Sequence, residues 1–408
     1  MRHIELKTAW TFEKRSFLII FILLAAASTV QIALNEGTHV YGIYNTGALT
    51  LLGGGNPYPT DWHTNIGFTN WFLYPPFFSV FFYPFSTAAL GAKAGAIGWM
   101  WLNIMVFYSG LMALMGTLGG AMVFRRWRII LAFFLIGNNL LSAVLLVQIN
   151  LLVTGLMLWG AVLYSQRRYA WAGIVLAIAS ALKIYPLVLV LILSLGMELS
   201  FMGSAFGFLL FFTLMPVLFI GWDAMLKLLG HLVAFFFSDP LHPNYLGLQP
   251  TMYAFGWNVP DWLFTLFMLA CAAAIALICL PSAKDSRRLA GTAVPFALSF
   301  IILFNKRTEW ASFIVLAPIL IYMFHAYLVA KDAGESEEAK TLLRYVIVTW
   351  VLISYISSDL CPRPLRLILS EYHLKGLSAV VGLMWSWRAA YRPRTLDGDT
   401  VEGTNEPC

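Results

Sequence analysis

Residues Ser16 to Leu34, SFLIIFILLAAASTVQIAL, run without a charge for close to the roughly 20 residues that a helix rising 1.5 Å per residue needs to cross a bilayer core. Apolar runs recur near 72–90, 97–123, 129–147, 150–165, 171–196, 204–221, 262–281, 289–304, 311–330, 345–357 and 374–387. They predict an all-α polytopic membrane protein, a bundle of about ten to thirteen membrane helices with some of them short or broken. Composition agrees: 60% of the residues are hydrophobic, 11% are charged and the mean hydropathy is +0.76. A water-soluble globule, in which about 25% of residues are charged, could not hide that much apolar surface. No segment has the length and charge of a separate soluble domain, and no internal repeat or low-complexity tract is visible. One membrane domain over residues 16–388 follows, between a cytoplasmic N-terminus (1–15) and a cytoplasmic polar tail (389–408).

A formal charge of +6 would suit nucleic acid, but the basic residues sit in short clusters between apolar runs, without an aromatic-interleaved basic face. No nucleic-acid partner is expected; membrane lipids are. Lys and Arg gather in cytoplasmic loops, so Arg2, Lys7, Lys14 and Arg15 put the N-terminus inside. These cations also precede signal peptides, but the run after them lacks a short apolar core ending in a small-residue cleavage site, and it reads as a span. Gln166 to Arg168, Lys284 to Arg288, Lys331 to Arg344, and Arg388, Arg392 and Arg394 fall inside by the same rule. Asn35 to Asn70, Asp239 to Asp261, Asn305 to Glu309 and Ser357 to Lys375 then face outward. Phe124 to Arg128 resists: this basic cluster would be inside only if 97–123 or a neighbour held an extra half-span. Cys271, Cys279, Cys361 and Cys408 have no metal-ligand spacing and imply neither a disulfide framework nor zinc.

Polar residues in costly places carry the functional reading. An ionisable side chain inside a span costs roughly 2.5–3.5 kcal/mol on insertion scales, so it faces a cavity or a partner. Lys183 is the only charge in Ala172 to Gly196, three residues before Pro186, and each half of that run is too short to cross alone. A hairpin of two half-helices, or one kinked helix, is expected with Lys183 near the bend. Lys183 either snorkels or pairs with an acid, or serves a buried anion such as phosphate. Gln148 and Asn150, with Asn138 and Asn139 upstream, are amides in apolar sequence that suit either sugar hydroxyls or interhelix bonds. The outer segment Asn35 to Pro76 carries a turn signal at Gly53 to Pro57, an apolar stretch Val40 to Leu52 with Tyr41 and Tyr44 that fits an interfacial helix, and the interfacial anchors Trp62, Trp71 and Tyr74. Asn305-Lys306-Arg307-Thr308-Glu309 places two cations and a carboxylate on a side otherwise poor in Lys and Arg. Asp359 to Arg366 repeats that character.

The stretches Leu51 to Tyr58 (LLGGGNPY), Leu73 to Pro84 (LYPPFFSVFFYP), QIN at 148–150 followed by Ala172 to Pro186 ending in ALKIYP, Phe304 to Phe313 (FNKRTEWASF), and Asp359 to Lys375 (DLCPRPLRLILSEYHLK) resemble glycosyltransferase family 87 in order and spacing. The resemblance covers most of the chain. It implies a GT-C-like membrane bundle with a long first outer loop carrying interfacial helices. It also implies inverting transfer of a hexose, often mannose, from a polyprenyl-phosphate carrier to an acceptor hydroxyl on a glycolipid or glycan. The reaction would take place at the non-cytoplasmic face of a multi-pass protein in a bacterial inner membrane. The lipid-linked sugar is then the donor substrate, and neither cofactor nor metal is needed.

That chemistry calls for a carboxylate to take the hydroxyl proton and a cation to neutralise the departing phosphate. Family members commonly carry an Asp about a dozen residues before the LLxG stretch, where this chain reads Asn35-Glu36-Gly37-Thr38-His39. The candidate bases are Glu309, beside cations in a matching motif, and Glu36, at the place of the loop acid; His39 and Asp61 follow as acceptor-side candidates. Lys183, Lys306, Arg307, Arg363 and Arg366 are the candidates for the lipid phosphate. Tyr44, Asn45, Tyr74, Gln148 and Asn150 are those for the sugar. A transporter or flippase of a lipid-linked or anionic solute would use Lys183 and the amides as well, and a transporter would commonly show an inverted repeat.

Overall fold

Helix length decides which apolar runs can cross a bilayer. The computed structural model describes residues 2–34, 39–58, 72, 74–117, 127–238, 245–305, 308–356, 358, 361–371 and 374–391, with side chains of the first helix from Leu18 onward. Among the described residues every regular element is helical. Five helices are long and apolar enough to cross: Ala92–Thr117, Leu199–Ile220, Asp261–Ser282, Ser286–Phe304 and Trp310–Asp332. The pair Leu18–Leu34 and His39–Leu52, bent by 74°, makes a sixth if it counts as one span. Pro76–Phe85, Ile130–Leu145, Asn150–Ser165, Tyr169–Leu182 and Leu187–Gly196 are apolar but shorter. Long and short together, these elements fit the expected bundle of ten to thirteen membrane helices with some of them short or broken.

The first helix, α1 (Arg2–Leu34), joins the charged N-terminal stretch to the first apolar run without a break. Next come α2 (His39–Leu52) and α3 (Pro76–Phe82), and α4 (Ala92–Thr117) then runs back antiparallel along α1. Lys93 Nζ donates to the Ala33 carbonyl at 2.7 Å, Trp101 Nε1 to Thr29 Oγ1 at 3.1 Å, and the rings of Phe21 and Phe107 lie 6.3 Å apart. Residues 72–90 therefore do not cross. Pro76 opens α3, Pro84 sits in the single 3₁₀ turn after it, and α2 holds the segment down. The Tyr41 hydroxyl donates to the Phe85 carbonyl at 2.7 Å, and Asn45 Oδ1 accepts the Thr87 N–H at 2.8 Å. With one crossing fewer, Arg128 falls at the same end as the other basic loops; Phe124 to Arg126 of that cluster lie outside the described residues. α5 (Trp127–Leu145) starts at the basic end of the bundle, where Arg128 grips Asp332 with two bonds of 2.7 Å.

After α5, α6 (Asn150–Ser165) runs alongside α4, with Asn103 Oδ1 accepting the Leu152 N–H at 3.2 Å and Trp159 Nε1 donating to Ser109 Oγ at 2.9 Å. Their backbones touch where Gly110 meets Gly155. α7 (Tyr169–Leu182) and α8 (Leu187–Leu193) then form the expected hairpin of half-helices. The backbone turns extended at Lys183, and Pro186 starts the second half. The Tyr164 hydroxyl donates to the Leu193 carbonyl at 2.9 Å while its ring lies 5.2 Å from that of Tyr169, so α8 ends near where α7 began.

Four helices follow towards the outside of the bundle: α9 (Leu199–Leu214), the single turn α10 (Val217–Ile220), α11 (Trp222–Ser238) and α12 (Leu248–Ala254). α13 (Asp261–Cys279) leads to the centre, α14 (Ser286–Phe304). A 3₁₀ segment, Trp310–Leu316, runs into α15 (Ala317–Asp332). α16 (Ser336–Trp350) continues through a π turn at Val351–Tyr355, and α17 (Arg363–Glu371) and α18 (Leu377–Tyr391) close the chain. Most residues of α14 and α15 are buried, whereas Leu199 is 78% and Leu218 80% exposed. Apolar exposure on that scale suits lipid, not water.

The loops that charge places on the cytoplasmic side come together. Arg128 holds Asp332, Arg388 holds Glu338 at 2.5 Å, Arg287 donates to the Thr117 carbonyl at 3.1 Å, and Tyr169 bonds Ser286 at 2.6 Å. The opposite end collects α2, α3, the turn before α6, the Lys183 bend and the segment around Glu309.

A Cβ at Gly155 would stand 2.5 Å from the Val106 carbonyl oxygen and 2.7 Å from Phe107 Cα, both backbone atoms that cannot swing away. Gly155→Val should therefore destabilise the bundle by about 1–3 kcal/mol or more. Thermal unfolding in detergent measures it, and an unchanged midpoint would contradict this packing of α4 against α6.

Candidate functional site

The turn between α14 and α15 begins with Thr308, whose buried hydroxyl donates to the carbonyls of Ile302 (3.2 Å) and Asn305 (3.1 Å). Its own carbonyl takes the Leu246 N–H at 2.8 Å. Glu309 comes next and caps the 3₁₀ segment. Its carboxylate accepts the Ser312 N–H, and its own N–H donates to Ser312 Oγ at 3.3 Å. This reciprocal cap fixes the side chain, which remains exposed.

From Glu309 a line of hydrogen bonds runs into the bundle. Gln148 Nε2 donates to Glu309 Oε2 at 2.8 Å, Asn150 Nδ2 donates to Gln148 Oε1 at 2.6 Å, and Lys183 Nζ donates to Asn150 Oδ1 at 2.7 Å. Gln148 is 5% and Asn150 1% exposed, so neither amide relies on water for partners. The chemistry of the ends sets the direction: a carboxylate accepts and an ammonium donates, so both amides turn NH₂ towards Glu309 and carbonyl towards Lys183. The dipoles align head to tail, and such chains polarise one another in a low-dielectric interior. Ser312 Oγ at 3.4 Å and the Tyr185 hydroxyl at 3.3 Å add weaker bonds to Asn150.

Ile149, between the two amides, passes its N–H to the Tyr44 hydroxyl at 3.2 Å, and that oxygen also accepts from Tyr74 at 3.2 Å. Tyr44 is buried in an aromatic cluster, its ring 5.1 Å from Tyr74, 5.0 Å from Phe78 and 5.6 Å from Phe82. The Tyr58 hydroxyl donates to the Tyr74 carbonyl at 2.8 Å. The Lys183 ammonium lies 5.8 Å from the Tyr74 ring and 5.1 Å from the Tyr185 ring, so two aromatic faces support the cation. Tyr44 of α2, with Tyr58 and Tyr74 from the residues before α3, thus forms one wall of the site.

A second lysine lies against the same turn. Lys375 is buried and donates to Asn139 Oδ1 (3.3 Å) and the Trp310 carbonyl (3.4 Å), 4.9 Å from the Trp310 ring and 4.7 Å from that of Phe313. Asn139 and Asn138 also bond Ser354 in the π turn, at 2.9 and 3.1 Å. Those upstream amides join helices.

Of the residues singled out in the sequence, Tyr44, Tyr74, Gln148, Asn150, Lys183 and Glu309 come together. Asn45 does not: its amide is bound to Thr87. His39 opens α2 on the surface, and Arg363 and Arg366 lie on α17, Arg363 exposed and Arg366 half-buried. Glu36, Asp61, Lys306 and Arg307 lie outside the described residues, as do Trp62 and Trp71. Sequence reasoning missed Ser312, Tyr185 and Lys375. Ser312 stands three residues after Glu309, the spacing of a cap; Tyr185 lies within ALKIYP, and Lys375 closes the stretch from Asp359 that resembles the family.

Compared with known proteins, residues 72–305, more than half of the chain, match the family model described as glycosyltransferase family 87. No curated protein and no solved structure matches the chain. The matched segment contains Tyr74, Gln148, Asn150 and Lys183; Tyr44 precedes it, and Glu309, Ser312 and Lys375 follow it.

Replacing Asn150 tests the chain of amides. Asn150→Ala leaves Gln148 Oε1 and Lys183 without their buried partner, at about 1–3 kcal/mol for each orphaned group. Its thermal midpoint should fall well below that of Asn45→Ala, which strips one acceptor from an exposed N–H. Equal midpoints for the two variants would show that the amide chain does not hold this end together.

Proposed function

The chain belongs to glycosyltransferase family 87, and from that premise we propose that it moves a hexose from a polyprenyl-phosphate carrier to an acceptor hydroxyl. As a membrane glycosyltransferase it needs a base for the acceptor and a counter-charge for the leaving group. One observation carries the reading: an exposed carboxylate and a half-buried ammonium are joined through two buried amides, at the end of the bundle opposite its basic loops.

In the proposed reaction the acceptor oxygen bonds to the anomeric carbon as the bond from that carbon to the phosphate oxygen breaks. The acceptor proton goes to Glu309. The lipid phosphate leaves with the bonding electron pair, and Lys183 offsets its charge. A single displacement needs nucleophile and leaving group on opposite sides of the anomeric carbon and inverts it. Base and cation at the two ends of the amide chain suit that requirement. Gln148 and Asn150 hold both groups, and Tyr44 and Tyr74 offer an aromatic wall to the sugar ring. Lys375 positions the Trp310 turn that carries the base. With the basic loops in the cytoplasm, the site faces the exterior.

The test is to incubate membranes bearing the protein with a labelled polyprenyl-phosphate hexose and search for a new glycoside by mass spectrometry. Glu309→Gln keeps an acceptor for the Gln148 amide, so it should fold, yet lose about 10²–10⁴-fold in kcat. Full activity in Glu309→Gln with loss in Glu36→Gln would move the base to Glu36. A labelled lipid that changes leaflet without yielding a glycoside would instead point to a transporter.

A further inference from the structure

At the basic end of the bundle, opposite Glu309, lies a cavity of about 390 Å³ that the proposed transfer does not use. It is enclosed by the ends of α4, α6, α14, α15 and α18 and the first turns of α16. The helices α6, α14 and α18 reach the Glu309 region with one end and this cavity with the other. The lining is mostly apolar, with buried Leu114, Ala161 and Leu342 beside the polar groups of Tyr322 and His325. The rim is ionic: Arg287, Arg288 and Arg388 against Asp285 and Glu338.

These rim charges are not equivalent. Glu338 is taken by Arg388 at 2.5 Å. Asp285 caps α14, its Oδ1 accepting the N–H groups of Arg287 (2.9 Å) and Arg288 (3.3 Å). Arg287 reaches the Thr117 carbonyl with one nitrogen, at 3.1 Å. The exposed guanidinium of Arg288 has no acidic partner among the described residues. With three guanidiniums against two carboxylates, one of them paired to Arg388, the rim carries a net positive charge that suits an anion.

An apolar hollow under a cationic rim, at the end of the bundle where headgroups meet the protein, fits an amphiphile with a hydrocarbon tail and an anionic head. The volume falls within the roughly 300–1,000 Å³ typical of ligand pockets. We propose that this cavity binds one anionic phospholipid, with its phosphate at Arg287 and Arg288 and an acyl chain between Leu114, Ala161 and Leu342.

Purified full-length protein in non-ionic detergent, titrated with phosphatidylglycerol, phosphatidylcholine or inorganic phosphate, provides the test by native mass spectrometry and thermal shift. One phosphatidylglycerol should be retained, phosphatidylcholine should bind at least about tenfold more weakly, and phosphate alone should leave the midpoint unchanged. Gly291 lines the cavity, and a Cβ there meets no atom within 4 Å. Gly291→Leu should therefore fold normally, fill the hollow and abolish binding. Joint replacement Arg287→Gln and Arg288→Gln should weaken binding at least about tenfold while leaving the hollow open. Equal affinity for the two lipids would overturn the proposal, as would undiminished phosphatidylglycerol binding by Gly291→Leu. A midpoint shift with phosphate alone would equally overturn it, showing a free-anion site.

Discussion

A side-chain amide buried among apolar helices must find partners for both its ends, and the end of this protein around Glu309 is organised about two amides that do. Gln148 and Asn150 sit where the chain turns from α5 into α6, and neither can satisfy itself within its own helix. The partners come from far along the sequence: Lys183 from the break of the α7–α8 hairpin, Glu309 and Ser312 from the start of the long helix after α14. Tyr44 comes from α2 and takes the N–H between the two amides. Each partner is held by a different device: a proline break, a reciprocal cap, an aromatic cluster. The amide pair locks these devices to one another, which is why a cation and a carboxylate can be kept apart and yet fixed in relation.

Much of the fold is legible in the sequence because the bilayer is so restrictive a solvent. The apolar run from Ser16 to Leu34 and the scarcity of charge define the class, and the lysine in Ala172 to Gly196, followed by Pro186, defines the hairpin. Residues 72–90 show the limit. Hydropathy gives the length of an apolar run but not whether it folds back, and here Pro76, Pro84 and the bonds from Tyr41 and Asn45 keep the segment at one end. The end of the bundle at which Arg128 falls follows from that return. The expectation that some of the helices are short or broken holds, but apolar runs do not reveal where the short ones stop.

The site is legible in part, and in a consistent way. Residues whose type is costly in hydrocarbon, Lys183, Gln148 and Asn150, declare themselves, and so does Glu309 among cations. Asn45 was chosen for the same chemistry, but its amide serves the adjacent turn; a short polar side chain near a helix end is as useful to the backbone as to a ligand. Lys375 ends a stretch that resembles the family, yet a cation beside an apolar run gives no sign of its neighbours, and its packing against Trp310 and Phe313 distinguishes it. The family match ends at Asn305, four residues before Glu309, so the assignment of the carboxylate rests on geometry and not on the family.

The claim on which the account depends is that Lys183 meets the lipid phosphate while Glu309 faces the acceptor. A structure determined with a polyprenyl-phosphate hexose bound measures this directly. The account predicts the phosphate within ion-pair reach of Lys183, about 4 Å or less, with the anomeric carbon between that phosphate and the Glu309 carboxylate. A phosphate bound elsewhere, with Lys183 still on Asn150 and Glu309 away from the sugar, would contradict it.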